Sequence, residues 1–297
     1  LFIVTETVIT RSGPLAEPVV WGWQVPVDLF LAGAAAGVLI LTFIVARRIR
    51  PDAQSHWMRW APFLAPMLLS GAMLALLLDL ENKAHAFRFY TALRITSPMS
   101  VGAWIIAGTF VAAVLLGIAR LKSDSRIGSW ARRKTAILEI AGLVFAFGLA
   151  AYPGALLCSM KACAAWGSAV LVPLFLASGI LTGGAFILLC PIAEEECRIV
   201  RRWVVGAVGA ELFLLALYFL DLTTSGAKGE AAAALFLGGS YTGAFWAFVV
   251  IAGLLVPLGF LLMEIKRRLP VRAVTPVLLL AGAFALRWIL VRAGQVS

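Results

Sequence analysis

Eight apolar stretches of roughly twenty residues run almost end to end through this chain, each long enough for a helix to cross a hydrocarbon core of about 30 Å. They are expected at 25–46, 62–80, 101–119, 137–157, 169–190, 203–222, 243–263 and 273–291. Hydrophobic residues make up 62% of the 297 positions and charged residues only 13%, a balance suited to lipid rather than to water. The expected fold is therefore an all-α integral membrane protein of eight transmembrane helices. Residues 1–20 carry Glu6, Arg11, Pro14, Glu17 and Pro18 and have no continuous apolar core, so insertion is expected to begin with the first span.

The net charge of +10 does not point to nucleic acid, because the basic residues cluster between the spans. Arg47, Arg48, Arg50 and Arg59 occupy the first loop. Arg120, Lys122, Arg126, Arg132, Arg133 and Lys134 occupy the third. Arg198, Arg201 and Arg202 lie in the fifth, and Lys266, Arg267, Arg268 and Arg272 in the seventh. These are 17 of the 25 Lys and Arg residues. Positively charged loops stay on the cytoplasmic side, which places both termini outside.

The second half of the chain echoes the first. Phe30-Leu31-Ala32-Gly33 followed by Gly37 is echoed by Phe175-Leu176-Ala177-Ser178-Gly179 followed by Gly183, and Leu78-Asp79-Leu80 by Leu220-Asp221-Leu222. Gly102-Ala103-Trp104 loosely matches Gly243-Ala244-Phe245-Trp246. Four spans separate the members of each pair, so the repeats run in the same direction and give two parallel-related four-helix bundles. The expected division is an extracytoplasmic segment at 1–24, a first bundle at 25–160 and a second at 161–297. The Gly33/Gly37 and Gly179/Gly183 spacings are expected to let helices approach closely within each unit.

Carboxylates inside hydrocarbon are costly and mark candidate sites. Asp28 lies one turn inside the outer end of span one, with Gln24 one turn above it on the same face. Asp79 ends span two on that side, Lys83 and His85 follow it, and Tyr152 ends span four at the same level. Asp28 is then either an interfacial acid paired with Lys83 or Arg287, or a proton acceptor in a pocket open to the outer face. Glu211 sits about 12 Å inside the opposite end of span six, at 1.5 Å per residue. It is either a silent hydrogen-bonded acid or a relay station. Glu139 lies near the cytoplasmic end of span four, and with Glu211 it is a candidate for a proton path.

Other chemistry is poorly supplied. The two histidines, His56 and His85, fall on opposite sides of the membrane, which argues against a bis-histidine haem. The four cysteines form no cluster-binding run, although Cys158 and Cys163 flank an outer loop where a disulfide could form. There is no phosphate-binding loop, dinucleotide turn or zinc motif, and no metal site is expected.

The run from Trp21 to Gly33 (WGWQVPVDLFLAG), continuing to Gly37, resembles the first helix of the NrfD-like family, that of the polysulfide reductase membrane subunit. Asp79-Leu80-Glu81-Asn82 with Arg88-Phe89-Tyr90, then Ser97-Pro98-Met99-Ser100 and Gly102, resembles that family's link between helices two and three. Tyr152-Pro153-Gly154-Ala155-Leu156-Leu157 and Ser178-Gly179 with Thr182-Gly183 are similar to its helices four and five. The resemblance implies a quinone-interacting integral membrane subunit of a respiratory oxidoreductase, binding menaquinone or ubiquinone in the first bundle. It also implies no haem and no iron–sulfur cluster in this chain. A ferredoxin-like iron–sulfur subunit would dock on the extracytoplasmic face, with a molybdopterin catalytic subunit behind it. The location would be a bacterial or archaeal cytoplasmic membrane.

By position Asp28 falls where the polysulfide reductase subunit carries a histidine near the quinone, a departure that leaves the proton acceptor open. Tyr152 matches a helix-four tyrosine that would donate to a quinone carbonyl, and Asp79 matches a recurrent acid at the end of helix two. Gln24, Lys83, His85 and Ser100 are further pocket or docking candidates. Two rival readings are a secondary transporter or proton-translocating module, and a membrane anchor that binds no quinone. Polar groups crowding one rim rather than the midplane favour the quinone reading.

Overall fold

The computed structural model describes residues 21–50, 53–79, 98–121, 126–160, 163–267 and 272–297. Among these every regular element is helical. The eight long apolar helices are α1 (Gln24–Arg48), α2 (His56–Asp79), α3 (Pro98–Arg120), α5 (Thr135–Cys158), α6 (Leu171–Leu188), α7 (Glu194–Thr224), α9 (Thr242–Arg267) and α10 (Val274–Gln295). Two shorter helices, α4 (Arg126–Arg133) and α8 (Ala227–Leu237), sit between spans and lack the length to cross. All eight expected spans are present and the chain is a multi-pass membrane protein. The largest difference is α7, which begins at Glu194 because Glu194, Glu195 and Glu196 favour the positive end of a helix.

Within α9 the backbone from Phe245 to Leu255 adopts the wider π form. Pro257 follows two residues later; it cannot donate to the carbonyl four residues back and its ring crowds that oxygen, which loosens the preceding ladder.

Helices α1 and α6 are the centre of the molecule. In each, 72% of the apolar window is buried, against 33–56% in the others. α1 packs against α2, α5, α6 and α10, and α3 lies between α2 and α5. α6 carries α7 on one side and α10 on the other, and α9 lies against α10.

Small residues make this centre. A Cβ at Gly37 would overlap the Gly179 carbonyl, and one at Gly183 would overlap the backbone of Gly37 and Val38. The two glycine pairs therefore meet each other across the α1–α6 contact, rather than serving separate contacts within each half as the spacing suggested. The physical reason is reciprocal: two backbones can touch only where both partners lack a side chain. The same device joins α9 to α10, where Gly253 and Gly282 face each other.

One end of the molecule is tied across its full length. Trp21 stacks on Trp166 with ring centroids 4.8 Å apart. The Trp21 N–H donates to Gln295 Oε1 (3.0 Å) and the Gln295 amide returns a bond to the Trp21 carbonyl (3.2 Å). Trp166 Nε1 donates to the Leu290 carbonyl at 2.9 Å, and the buried Tyr218 hydroxyl donates to the Ala165 carbonyl at 2.7 Å. At the other end Glu196 accepts from the Ser55 N–H (2.8 Å), the Ser55 hydroxyl (2.6 Å) and the Ala193 N–H (2.9 Å). That single carboxylate caps α7 and grips the start of α2.

Candidate functional site

Asp28 lies in the second turn of α1, directly below the Trp21–Trp166 stack in sequence. Only 9% of it is exposed, and its Oδ1 has no hydrogen-bond partner among the described residues. Four residues earlier, on the same helix face, Gln24 Oε1 is also buried and unpartnered, its side chain folded back over Gly22. Buried acceptors are seldom left unpaired, because each forfeits its bonds to water. Two on adjacent turns define a place that wants a donor.

Tyr152, on α5, lies close enough to feel the Asp28 charge. Its position is set by Gly102 of α3: a Cβ there would overlap the Tyr152 ring and hydroxyl. Ser100 is buried in the first turn of α3, two residues before that contact. Helices α1, α3 and α5 thus bring a carboxylate, an amide, a phenol and a hydroxyl to one end of the molecule. The carboxylate accepts protons and the phenol donates a hydrogen bond, a complementary set for an oxygen-bearing ligand.

Asp79 is exposed at the last residue of α2. Lys83 and His85 lie outside the described residues. Glu139 is paired with Arg120 at 4.0 Å. Glu211, 1% exposed on α7, belongs to a separate cluster, and no described hydrogen bond joins it to Glu139. All four cysteines are free, so Cys158 and Cys163 form no disulfide. No group of three or more potential metal ligands occurs among the described residues. Two open recesses, one lined by Arg48, Ile199, Arg202 and Trp203 and one along Ala231–Gly239, do not include Asp28 or Tyr152.

Arg287 of α10 does not pair with Asp28. It is fully buried where α1, α6, α7 and α10 converge, and its Nε donates to the Leu29 carbonyl at 3.1 Å. Its Nη1 donates to Ser178 Oγ (3.0 Å) and to the Ala283 carbonyl (2.9 Å). Ser178 also hydrogen-bonds Glu211, which Arg287 attracts electrostatically. The rings of Phe30 and Phe175 lie 5.7 and 5.6 Å from the guanidinium. Both charges are visible in the sequence, but their meeting depends on how α7 and α10 rotate. Gly102 was seen only as part of a motif; its function as a seat for Tyr152 depends on helix rotation, which no local pattern encodes.

Residues 14–297 match the family described as Polysulphide reductase, NrfD. The sequence is 27% identical to the C chain of polysulfide reductase from Wolinella succinogenes, over 93% of this protein and 95% of that one. It is also 27% identical to protein NrfD of Escherichia coli (strain K12), over 95% and 96% respectively. A NrfD homolog of Haemophilus influenzae is 24% identical over 94% of this protein and 95% of its own length. On this full-length match, carried by eight apolar helices, the chain belongs to the polysulphide reductase, NrfD family.

Proposed function

We propose that this chain is the quinone-reactive membrane subunit of a respiratory oxidoreductase complex. It would exchange electrons and protons between the membrane pool of menaquinone or ubiquinone and an iron–sulfur partner subunit. The observation that carries the reading is the orphaned Asp28 oxygen at the same end of α1, α3 and α5 as a tyrosine that is seated on Gly102 and feels the Asp28 charge. The similarity to a protein named as one chain of a reductase supports membership of a multi-subunit redox enzyme.

The residues fit a quinone headgroup. Gln24 Oε1 and Asp28 Oδ1 are unpaired acceptors suited to a ring hydroxyl, and Tyr152 and Ser100 carry hydroxyl donors suited to a ring carbonyl. A bound quinone supplies two-electron chemistry coupled to two protons. Asp28 holds or releases a proton at its carboxylate, within a site where a positioned acid or base is required. Tyr152 orients a carbonyl oxygen, and the Trp21–Trp166 stack steadies the start of α1 above Asp28. Asp79, Lys83 and His85 are assigned to the rim, where an extracytoplasmic ferredoxin-like subunit, backed by a molybdopterin enzyme, would dock. In this reading residues 25–160 form the quinone-side bundle and 161–297 the second, with both termini outside the cytoplasmic membrane.

Glu211 is a candidate proton station on one observation, its unpartnered Oε2. Glu139 would be a second station near the basic end. Liposomes showing no charge movement beyond the quinone chemistry would remove both from any pumping path.

The site is tested with Asp28→Asn in the intact complex, measuring turnover with a short-chain quinone. Assembly should survive, and turnover should fall by about 10²–10⁴-fold, the range for a positioned acid–base group. Unchanged turnover would remove Asp28 from the reaction.

A further inference from the structure

At the basic end of the molecule, far along α1 from Asp28, a cavity of about 290 Å³ opens between the last turn of α1 and the third turn of α7. Arg48, Arg202, Trp203 and Ile199 line it. Neighbouring guanidiniums are already engaged. Arg198 pairs with Glu194 at 3.9 Å, and Arg47 lies 5.0 Å from the Phe43 ring. Arg48 and Arg202 have no carboxylate within ion-pair distance among the described residues. Two planar cations on different helices, lining one recess without a counter-charge, carry the charge and donors that a phosphate takes.

The surface leading away from the cavity identifies the kind of phosphate. Along α7, Trp203, Gly206, Gly209, Ala210 and Phe213 are exposed and follow one another at helical spacing. A Cβ at Gly206 or Gly209 would meet nothing within 4 Å, so the lane there is open and shallow. Phe213, 63% exposed, stands at its far end. From Arg202 to Phe213 the lane runs about 16 Å at 1.5 Å per residue, close to the depth of one leaflet of a roughly 30 Å core. A soluble anion has no use for such a lane, whereas an acyl chain does. An exposed tryptophan beside the cavity marks the headgroup level.

We propose that Arg48 and Arg202 bind the phosphate of an anionic phospholipid, with one acyl chain lying along Gly206, Gly209 and Phe213. Two arginines repel a choline headgroup, so phosphatidylglycerol binds in preference to phosphatidylcholine.

The test is native mass spectrometry of the purified, delipidated complex, titrated separately with phosphatidylglycerol and phosphatidylcholine. The wild type should retain the anionic lipid preferentially. R48Q/R202Q should weaken that adduct by about tenfold or more, on the usual contribution of a basic residue near a lipid headgroup. R198Q, already ion-paired, should leave it unchanged, and Gly209→Leu should weaken both lipids by filling the lane. Unaltered melting of each variant shows that the fold is intact. Equal retention by R48Q/R202Q and wild type would overturn the proposal. So would displacement of the lipid by excess inorganic phosphate, or loss of a protein subunit instead of lipid.

Discussion

Replacing Arg287 by methionine keeps the bulk of the side chain and removes its charge and donors at the junction of α1, α6, α7 and α10. Two of the three acceptors that lose a bond, the Leu29 and Ala283 carbonyls, lie within helices and keep a backbone donor there, so each loss costs well under about 1 kcal/mol. The larger effect falls on Glu211, which is left buried without its nearby cation. Breaking a contacting buried pair on one side costs about 3–5 kcal/mol; Arg287 and Glu211 are not within ion-pair distance and Ser178 still bonds Glu211, so about 1–2 kcal/mol is expected. For a chain of this size that corresponds to a fall in Tm of about 2–6 °C. The double variant R287M/E211Q removes the stranded charge and should recover most of the loss, giving a coupling of about 1 kcal/mol. Unfolding can be followed with a thiol-reactive dye, because Cys158, Cys163, Cys190 and Cys197 are all free and Cys197 is buried. If the two substitutions prove additive, Glu211 does not depend on Arg287 and the cluster as described is wrong.

Three further outcomes are expected. Gly102→Ala should displace the Tyr152 ring and raise the quinone KM at least as much as Tyr152→Phe, about five- to tenfold for one lost hydrogen bond; an unchanged KM in both would separate Tyr152 from the site. Gly37→Ala pushes a methyl into the Gly179 carbonyl, so α1 and α6 must part. Destabilisation of about 1–3 kcal/mol in the same thiol assay is the expected result, and wild-type melting would show that the contact is loose. Glu196→Ala frees the Ser55 and Ala193 donors together, and a loss of about 2 kcal/mol, with faster hydrogen exchange at the start of α2, would report that grip. Exchange that stays at the wild-type rate would place the anchor elsewhere.

The spans were legible because lipid solubility is a local property: twenty apolar residues in a row meet the same requirement whatever their neighbours are. Asp28 and Glu211 stood out for the same reason, since a strong polar group within such a run violates that requirement by itself. The glycine spacings were legible as well, but their partners were not. Gly37 meets Gly179 and Gly183 across the two halves, a choice made by how α1 and α6 cross. Arg287 turns to the Leu29 and Ala283 carbonyls and to Ser178 rather than to Asp28, whose Oδ1 is unpaired among the described residues. Composition along one helix decides that a segment enters the bilayer. Which of its faces meets which neighbour depends on rotation and crossing angle, and these are settled only when all the helices pack together.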